Sequence, residues 1–294
     1  MFARVGRGVL VALLTVVVSM VPVTATAAPD EQPVVIPAAC PATHPYSSSL
    51  SMAALRDGIE TNWGFTVTGT YWTDETYRPV VAMIWQTLDA ISCTPYLETL
   101  HSKVGALELR ATSIGGWVAG DYGLSKKDAV SLDFPQLLTS YKNDPGHVSR
   151  LFVHEVSHAY TKDRSENPAY WAHFATLYSK LGRFGSYGGS ASETFSEVVG
   201  YYVARCAANN PYTTAKAAYY DYVKTEVFGG REFGAALGQT LVCDGSQSAS
   251  TPDIYASANA AVKAATQDRE AAAAEIAANG AEVYGYEEIP TDSV

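Results

Sequence analysis

Basic residues are in short supply. The 294-residue chain has 20 Lys and Arg against 30 Asp and Glu, a formal charge of −10 at pH 7. That deficit argues against nucleic acid or an anionic membrane as a partner, because both are held through clustered positive charge. Cysteine is sparse as well. The four present, Cys40, Cys93, Cys206 and Cys243, form no CxxC redox pair, and their separations do not suit a four-cysteine metal site. Beyond the N-terminal region no run is apolar enough to cross a bilayer. Histidine is scarce too, with six in the whole chain, yet two of these lie within one five-residue stretch.

The N-terminus carries the one long apolar run. Arg4 and Arg7 precede it, it extends from Val9 to Val23, and the small residues Ala25, Ala27 and Ala28 follow, just before Pro29 and Asp30. Residues 1–28 therefore read as a signal peptide cleaved after Ala27 or Ala28, too short for stable membrane insertion. Removing Arg4 and Arg7 from the 20 basic residues leaves 18 against 30 acidic ones, a charge of about −12. A secreted, extracellular chain with an even number of cysteines is expected to form disulfides. Proximity favours Cys40–Cys93 and Cys206–Cys243, with all three connectivities open. Residues 29–47 form a Pro- and Ala-rich irregular arm. Residues 48–244 can bury one catalytic core, and 245–294 read as an alanine-rich helical segment and an acidic, solvated tail.

Periodicity predicts helices over Ser51–Glu60, Arg78–Ile91 and from Pro95, and a strand within Val104–Thr112. Trp117 to Ala119 is expected to begin another strand, and Gly120 to Gly123 to turn. In Val130, Ser131, Leu132, Asp133 and Phe134 the apolar residues alternate cleanly, the pattern of a half-exposed edge strand. Further helices are expected from Pro145 to about Thr161, from Pro168 to Lys180, after Ser190 or Ser192, and from Pro211 to about Gly229. The architecture implied is α+β, a small mixed sheet followed by a mainly helical half.

The stretch His154-Glu155-Val156-Ser157-His158 matches the helical zinc signature HExxH. Positions i and i+4 lie above one another on a helix, so both imidazoles reach one Zn²⁺, and Glu155 falls where it can take a proton from an attacking water. A catalytic zinc site needs a third protein ligand. No histidine extends the motif to HExxHxxGxxH, since position 161 is Thr and position 164 is Arg. Glu193 is the better candidate. Glu197, one turn later, can reach a ligand imidazole such as that of His154 and fix its tautomer.

An HExxH helix, a glycine-bearing loop and a later helix with ExFxE resemble the gluzincin zinc peptidases. Within them, the stretch from about Leu132 to Tyr202 is similar to the anthrax lethal factor-like group, which includes the secreted Pro-Pro endopeptidases. The resemblance implies a zincin-like domain with His154, His158 and Glu193 as zinc ligands. It also implies Glu155 as general base, Glu197 as the supporting carboxylate, and a peptide bound in extended form along Val130 to Phe134. The family's oxyanion tyrosine falls seven residues before the glutamate ligand. Here that position is Ser186, with Tyr187 next to it, so Tyr187 is either the oxyanion donor or a surface, lid or specificity residue. His147 and His173 are further candidate donors. A preference for proline would rest on the resemblance alone. The functional expectation is a secreted zinc endopeptidase, and the competing one an extracellular binding or structural protein on a silent zincin fold.

Overall fold

The computed structural model describes residues 36–37, 39–115, 119–187 and 189–243. The expected signal peptide, residues 29–35 and 38 of the 29–47 arm, Trp117 and Val118, and the alanine-rich tail lie outside them.

The elements in chain order are α1 (Met52–Trp63), β1 (Thr66–Thr68), α2 (Arg78–Ile91), α3 (Tyr96–Val104), β2 (Glu108–Thr112), β3 (Gly120–Tyr122) and β4 (Ala129–Asp133). There follow α4 (Phe134–Asn143), α5 (Pro145–Tyr160), α6 (Ala169–Leu181), α7 (Ala191–Val203) and α8 (Ala217–Tyr222). The four strands form one mixed sheet in the order β1-β2-β4-β3, parallel except for the antiparallel β3–β4 pair. A small mixed sheet followed by a mostly helical half is the α+β topology expected.

Several expectations are overturned, the edge strand first. Residues 130–134 are not an edge strand: β4 lies between β2 and β3, all five of its residues are buried, and Phe134 already belongs to α4. Of the polar alternates that suggested exposure, Ser131 is buried with its Oγ unpartnered, and Asp133 has local work instead. Asp133 caps α4 by accepting from Gln136 N at 3.0 Å, and its other oxygen accepts from Ile114 N and Gly115 N at 2.6 and 3.0 Å. Gly120–Tyr122, expected as a turn, is β3 and forms the edge next to β4. The turn follows it, with Asp121 accepting from Leu124 N and Ser125 N.

Helix α5 runs through the middle of the core. Leu151, Phe152, Val153, Val156 and Ala159 are buried, and each large apolar side chain so placed contributes about 1.5–3 kcal/mol. Its small polar residues tie it to neighbours: Ser149 Oγ is 2.9 Å from Thr87 Oγ1 of α2, and Ser157 Oγ is 2.9 Å from Tyr96 OH of α3. Pro145 at its start removes an amide that no helix could satisfy. Asp144 makes no capping bond to α5 and accepts from Ala208 N at 3.0 Å instead. The helix expected at Pro211 begins only at Ala217, and it runs into a π-type turn over Val223–Val227. The Asn210 side chain bonds Tyr201 O, Arg205 O and Tyr212 N, holding 210–212 in a turn.

The disulfides are Cys40–Cys93 and Cys206–Cys243, the pairing that proximity favoured. The first fastens the N-terminal arm beside α2, where Asp89 also accepts from Thr43 N and His44 N.

Candidate metal centre

Two helices supply the candidate ligands. His154 and His158 stand one turn apart on α5. Glu193 lies in the first turn of α7, whose N-terminus is capped by Ser190 Oγ accepting from Glu193 N at 3.2 Å. The helices cross closely at Gly200, where an added Cβ would lie 2.7 Å from the Arg150 carbonyl oxygen. Only a glycine permits that approach, and it brings Glu193 against the two imidazoles.

His154 Nε2 is 3.2 Å from His158 Nε2 and 3.3 Å from Glu193 Oε2, and His158 Nε2 is 3.6 Å from Glu193 Oε1. One ligand atom from each residue lies within 4.8 Å of the others, and among the described residues no other His, Cys, Asp and Glu group does this. Glu193 Oε2 is shielded from solvent yet makes no hydrogen bond. A buried carboxylate oxygen in that condition is costly, and a cation held between it and the two nitrogens would relieve it. Two imidazoles and one carboxylate are the donor set of a catalytic zinc site with an open position. The residues fit zinc.

The remaining ring nitrogens each have a polar neighbour, although His154 Nδ1 makes no aligned hydrogen bond. His154 Nδ1 is 3.1 Å from Glu197 Oε1, as the i, i+4 spacing of the two glutamates suggested, and His158 Nδ1 is 3.3 Å from Ser192 Oγ. Burial lowers the His154 pKa, but the Glu193 and Glu197 carboxylates beside its two nitrogens outweigh this and raise it. The same histidines hold Glu193 well below the usual carboxylate range, and burial lowers His158. Glu155 is buried and pushed up to about 7, chiefly by burial, with Glu193 and Asp121 adding and His154 opposing.

Glu155 also faces the sheet edge. A Cβ at Gly120 of β3 would lie 3.0 Å from Glu155 Cγ and 3.2 Å from Leu151 Cδ2, so the missing side chain is what lets the edge strand pass over this carboxylate. Sequence reasoning overlooked Gly120, Arg150, Ser192 and Gly200. Arg150 sits one turn before His154, a spacing that pointed to it in retrospect, whereas the glycines act only through contacts between elements.

Tyr187, 49% exposed, has its ring centroid 5.9 Å from that of His154. His147 contacts Arg150 Nη2 through Nδ1 at 3.3 Å, and His173 Nδ1 lies 3.8 Å from Glu226; neither joins the cluster. A groove of about 700 Å³ lined by His44, Trp63, Leu97, Glu98 and His101 contains none of the cluster residues. Ligand geometry, not cavity size, marks the site.

No family model matches the chain, and neither a curated protein nor a solved structure matches it. The metal centre therefore rests on its own geometry.

Proposed function

We propose that the chain is a secreted zinc-dependent endopeptidase of the gluzincin type, resembling the lethal factor-like group. The observation that carries this reading is the convergence of His154, His158 and Glu193 on one point, with Glu155 beside them under a free strand edge. Zinc, when bound, supplies polarisation of a scissile carbonyl and acidification of a water.

The protein's own groups do the rest. His154, His158 and Glu193 hold the ion. The Glu155 carboxylate accepts the proton of the attacking water and passes it to the departing amine. Tyr187, next to His154, offers a phenol to the developing oxyanion; its pKa is raised by burial, so it stays a donor. Ser186, which holds the family's register position, has no ring to do this.

The substrate docks on β3 rather than β4. Ala119 and Gly123 bond back to Asp133 and Ala129 of the β4 side, so the alternation of an antiparallel pair turns the backbone groups of Gly120 and Tyr122 to the free edge. An extended peptide bonding to them lies over Glu155. Export is supported by the character of residues 1–28 and by two disulfides, which persist in oxidising compartments.

The test is zinc stoichiometry together with cleavage of a broad peptide library by wild type and Glu155→Gln. One zinc per chain, cleavage by wild type, and a loss of at least about a thousandfold in the variant with zinc retained are expected. Zinc binding with no cleavage by wild type, or cleavage undiminished in the variant, refutes the reading.

A further inference from the structure

We propose that Arg150 is a positioning residue for the metal centre, holding Glu197 so that His154 presents Nε2 to the ion. The inference rests on the zinc reading above and extends it to a residue outside the HExxH and ExFxE motifs.

The geometry is a ladder between two helices. Arg150, His154 and His158 occupy successive turns of one side of α5, and Glu197 and Glu193 occupy successive turns of α7, running the opposite way. The side chains interleave. Arg150 Nη1 lies 2.5 Å from Glu197 Oε1, the same oxygen lies 3.1 Å from His154 Nδ1, and His154 Nε2 and His158 Nε2 lie 3.3 and 3.6 Å from the two oxygens of Glu193. The guanidinium is fixed on its other sides by the Tyr201 ring, 5.1 Å from Cζ, and by His147 Nδ1, 3.3 Å from Nη2.

Charge explains why a cation belongs at the end of this ladder. The Glu197 side chain is only 4% exposed and that of Arg150 13%. A carboxylate that buried is strongly disfavoured unless it is paired. Once His154 gives up its proton to bind the ion, its neutral ring can donate one hydrogen bond to Glu197 but cannot neutralise it. Arg150 does, so Glu197 remains an acceptor for Nδ1–H, and the Nε2 lone pair is left facing Glu193 and His158. With a divalent ion bound, the carboxylates of Glu155, Glu193 and Glu197 are balanced by the ion and Arg150. Without Arg150 the buried site carries one uncompensated negative charge.

A residue that merely ties α5 to α7 would leave a different signature from one acting through Glu197 on His154. The experiment is a double-mutant cycle on the full chain with Arg150→Met, Glu197→Gln and the pair. It reads zinc affinity by chelator competition and, by ¹⁵N NMR of the metal-free protein at about pH 10, where the raised His154 imidazolium has lost its proton, the His154 tautomer. Expected are a roughly 10- to 100-fold weaker zinc affinity for Arg150→Met, loss of the Nδ1–H tautomer, and little further loss when Arg150→Met is added to Glu197→Gln. Full additivity, or an Arg150→Met protein with wild-type affinity and tautomer, overturns the proposal. Should the methionine variant fail to fold, Arg150→Gln, which also removes the charge, is carried through the same cycle and judged by the same criterion. A wild type that binds no zinc sinks the proposed function itself; wild-type binding with additive losses sinks only the role of Arg150.

Discussion

Replacing Gly200 by alanine sets two effects of opposite sign against each other. Within a helix, alanine is favoured over glycine by about 0.5–1 kcal/mol because it has less backbone entropy to lose. At this position the new Cβ would stand 2.7 Å from the Arg150 carbonyl oxygen and 3.4 Å from Arg150 Cγ. An ordinary carbon–oxygen contact is about 3.3–3.6 Å, so α7 and α5 must separate locally by roughly 0.7 Å. The oxygen cannot simply yield. In the middle of α5 it accepts the amide of the residue four later, His154, so moving it disturbs the metal ligand directly. Overpacking against rigid backbone costs about 1–3 kcal/mol, which exceeds the propensity gain. Gly200→Ala is therefore expected to lose about 1–2 kcal/mol in urea unfolding of the metal-free protein with an unchanged m-value, and to bind zinc more weakly. Gly200→Val is expected to lose more. An alanine variant stabilised by about 1 kcal/mol, as at an open helix position, would refute the close crossing and the account of how Glu193 reaches the histidines.

Gly120→Ala places a methyl 3.0 Å from Glu155 Cγ; kcat on a cleaved peptide should fall about tenfold or more while zinc affinity holds, and unchanged kcat would count against β3 as the docking edge. In the metal-free protein the His154 pKa is raised to about 9, burial being outweighed by Glu193 and Glu197. Its stabilisation is thus complete below the ordinary imidazole value of about 6.5 and is lost as pH rises through about 9. Zinc must displace the same proton, so apparent zinc affinity should climb by up to about tenfold per pH unit between pH 7 and 9; a flat titration contradicts this. Joint replacement of Cys40 and Cys93 by serine opens a loop with a sequence separation of 53 and should cost about 4 kcal/mol by the chain-entropy relation, read by urea unfolding. A loss under about 1 kcal/mol would mean that the arm is held by Asp89 and its neighbours rather than by the disulfide.

What was legible in the sequence is what is decided locally. The limits of α2 and α6 follow from their apolar period, from Pro168 before α6 and from Gly182 after it, and the Ser190 cap of α7 is a contact three residues long. Strand order is not local. Ser131 and Asp133 look like solvent-facing alternates, and nothing within Val130–Phe134 shows that Gly120–Tyr122 will cover that side or that Asp133 will be consumed by three backbone amides. Pro211 fails to start a helix, and Asp144 precedes α5 without a capping bond, for a related reason. A capping aspartate and a helix-starting proline describe preferences of an isolated segment, whereas Ala208 N claims the Asp144 carboxylate and the Asn210 side chain holds the chain in a turn past Pro211.

The metal centre divides along the same line. Spacing within α5 places two imidazoles on one face, and spacing within α7 places two carboxylates on another, but each is only half of a site. An HExxH helix whose neighbour stayed an ångström further off would bring its histidines no third ligand, and the motif would then be the chance coincidence that short motifs permit. Here the approach is set by Gly200, and the pairing of nitrogens with oxygens by the interleaving of Arg150, Glu197, His154, Glu193 and His158. That ordering also assigns unlike work to two chemically identical glutamates. The one nearer the α7 N-terminus faces both Nε2 atoms and is left with an unsatisfied oxygen, which suits it to the ligand role we propose; the one a turn deeper is buried against a guanidinium and Nδ1, which suits it to the supporting role. Exchanging their surroundings, for example by an Arg150→Met substitution that frees Glu197, should therefore weaken the metal site without removing any of its ligands.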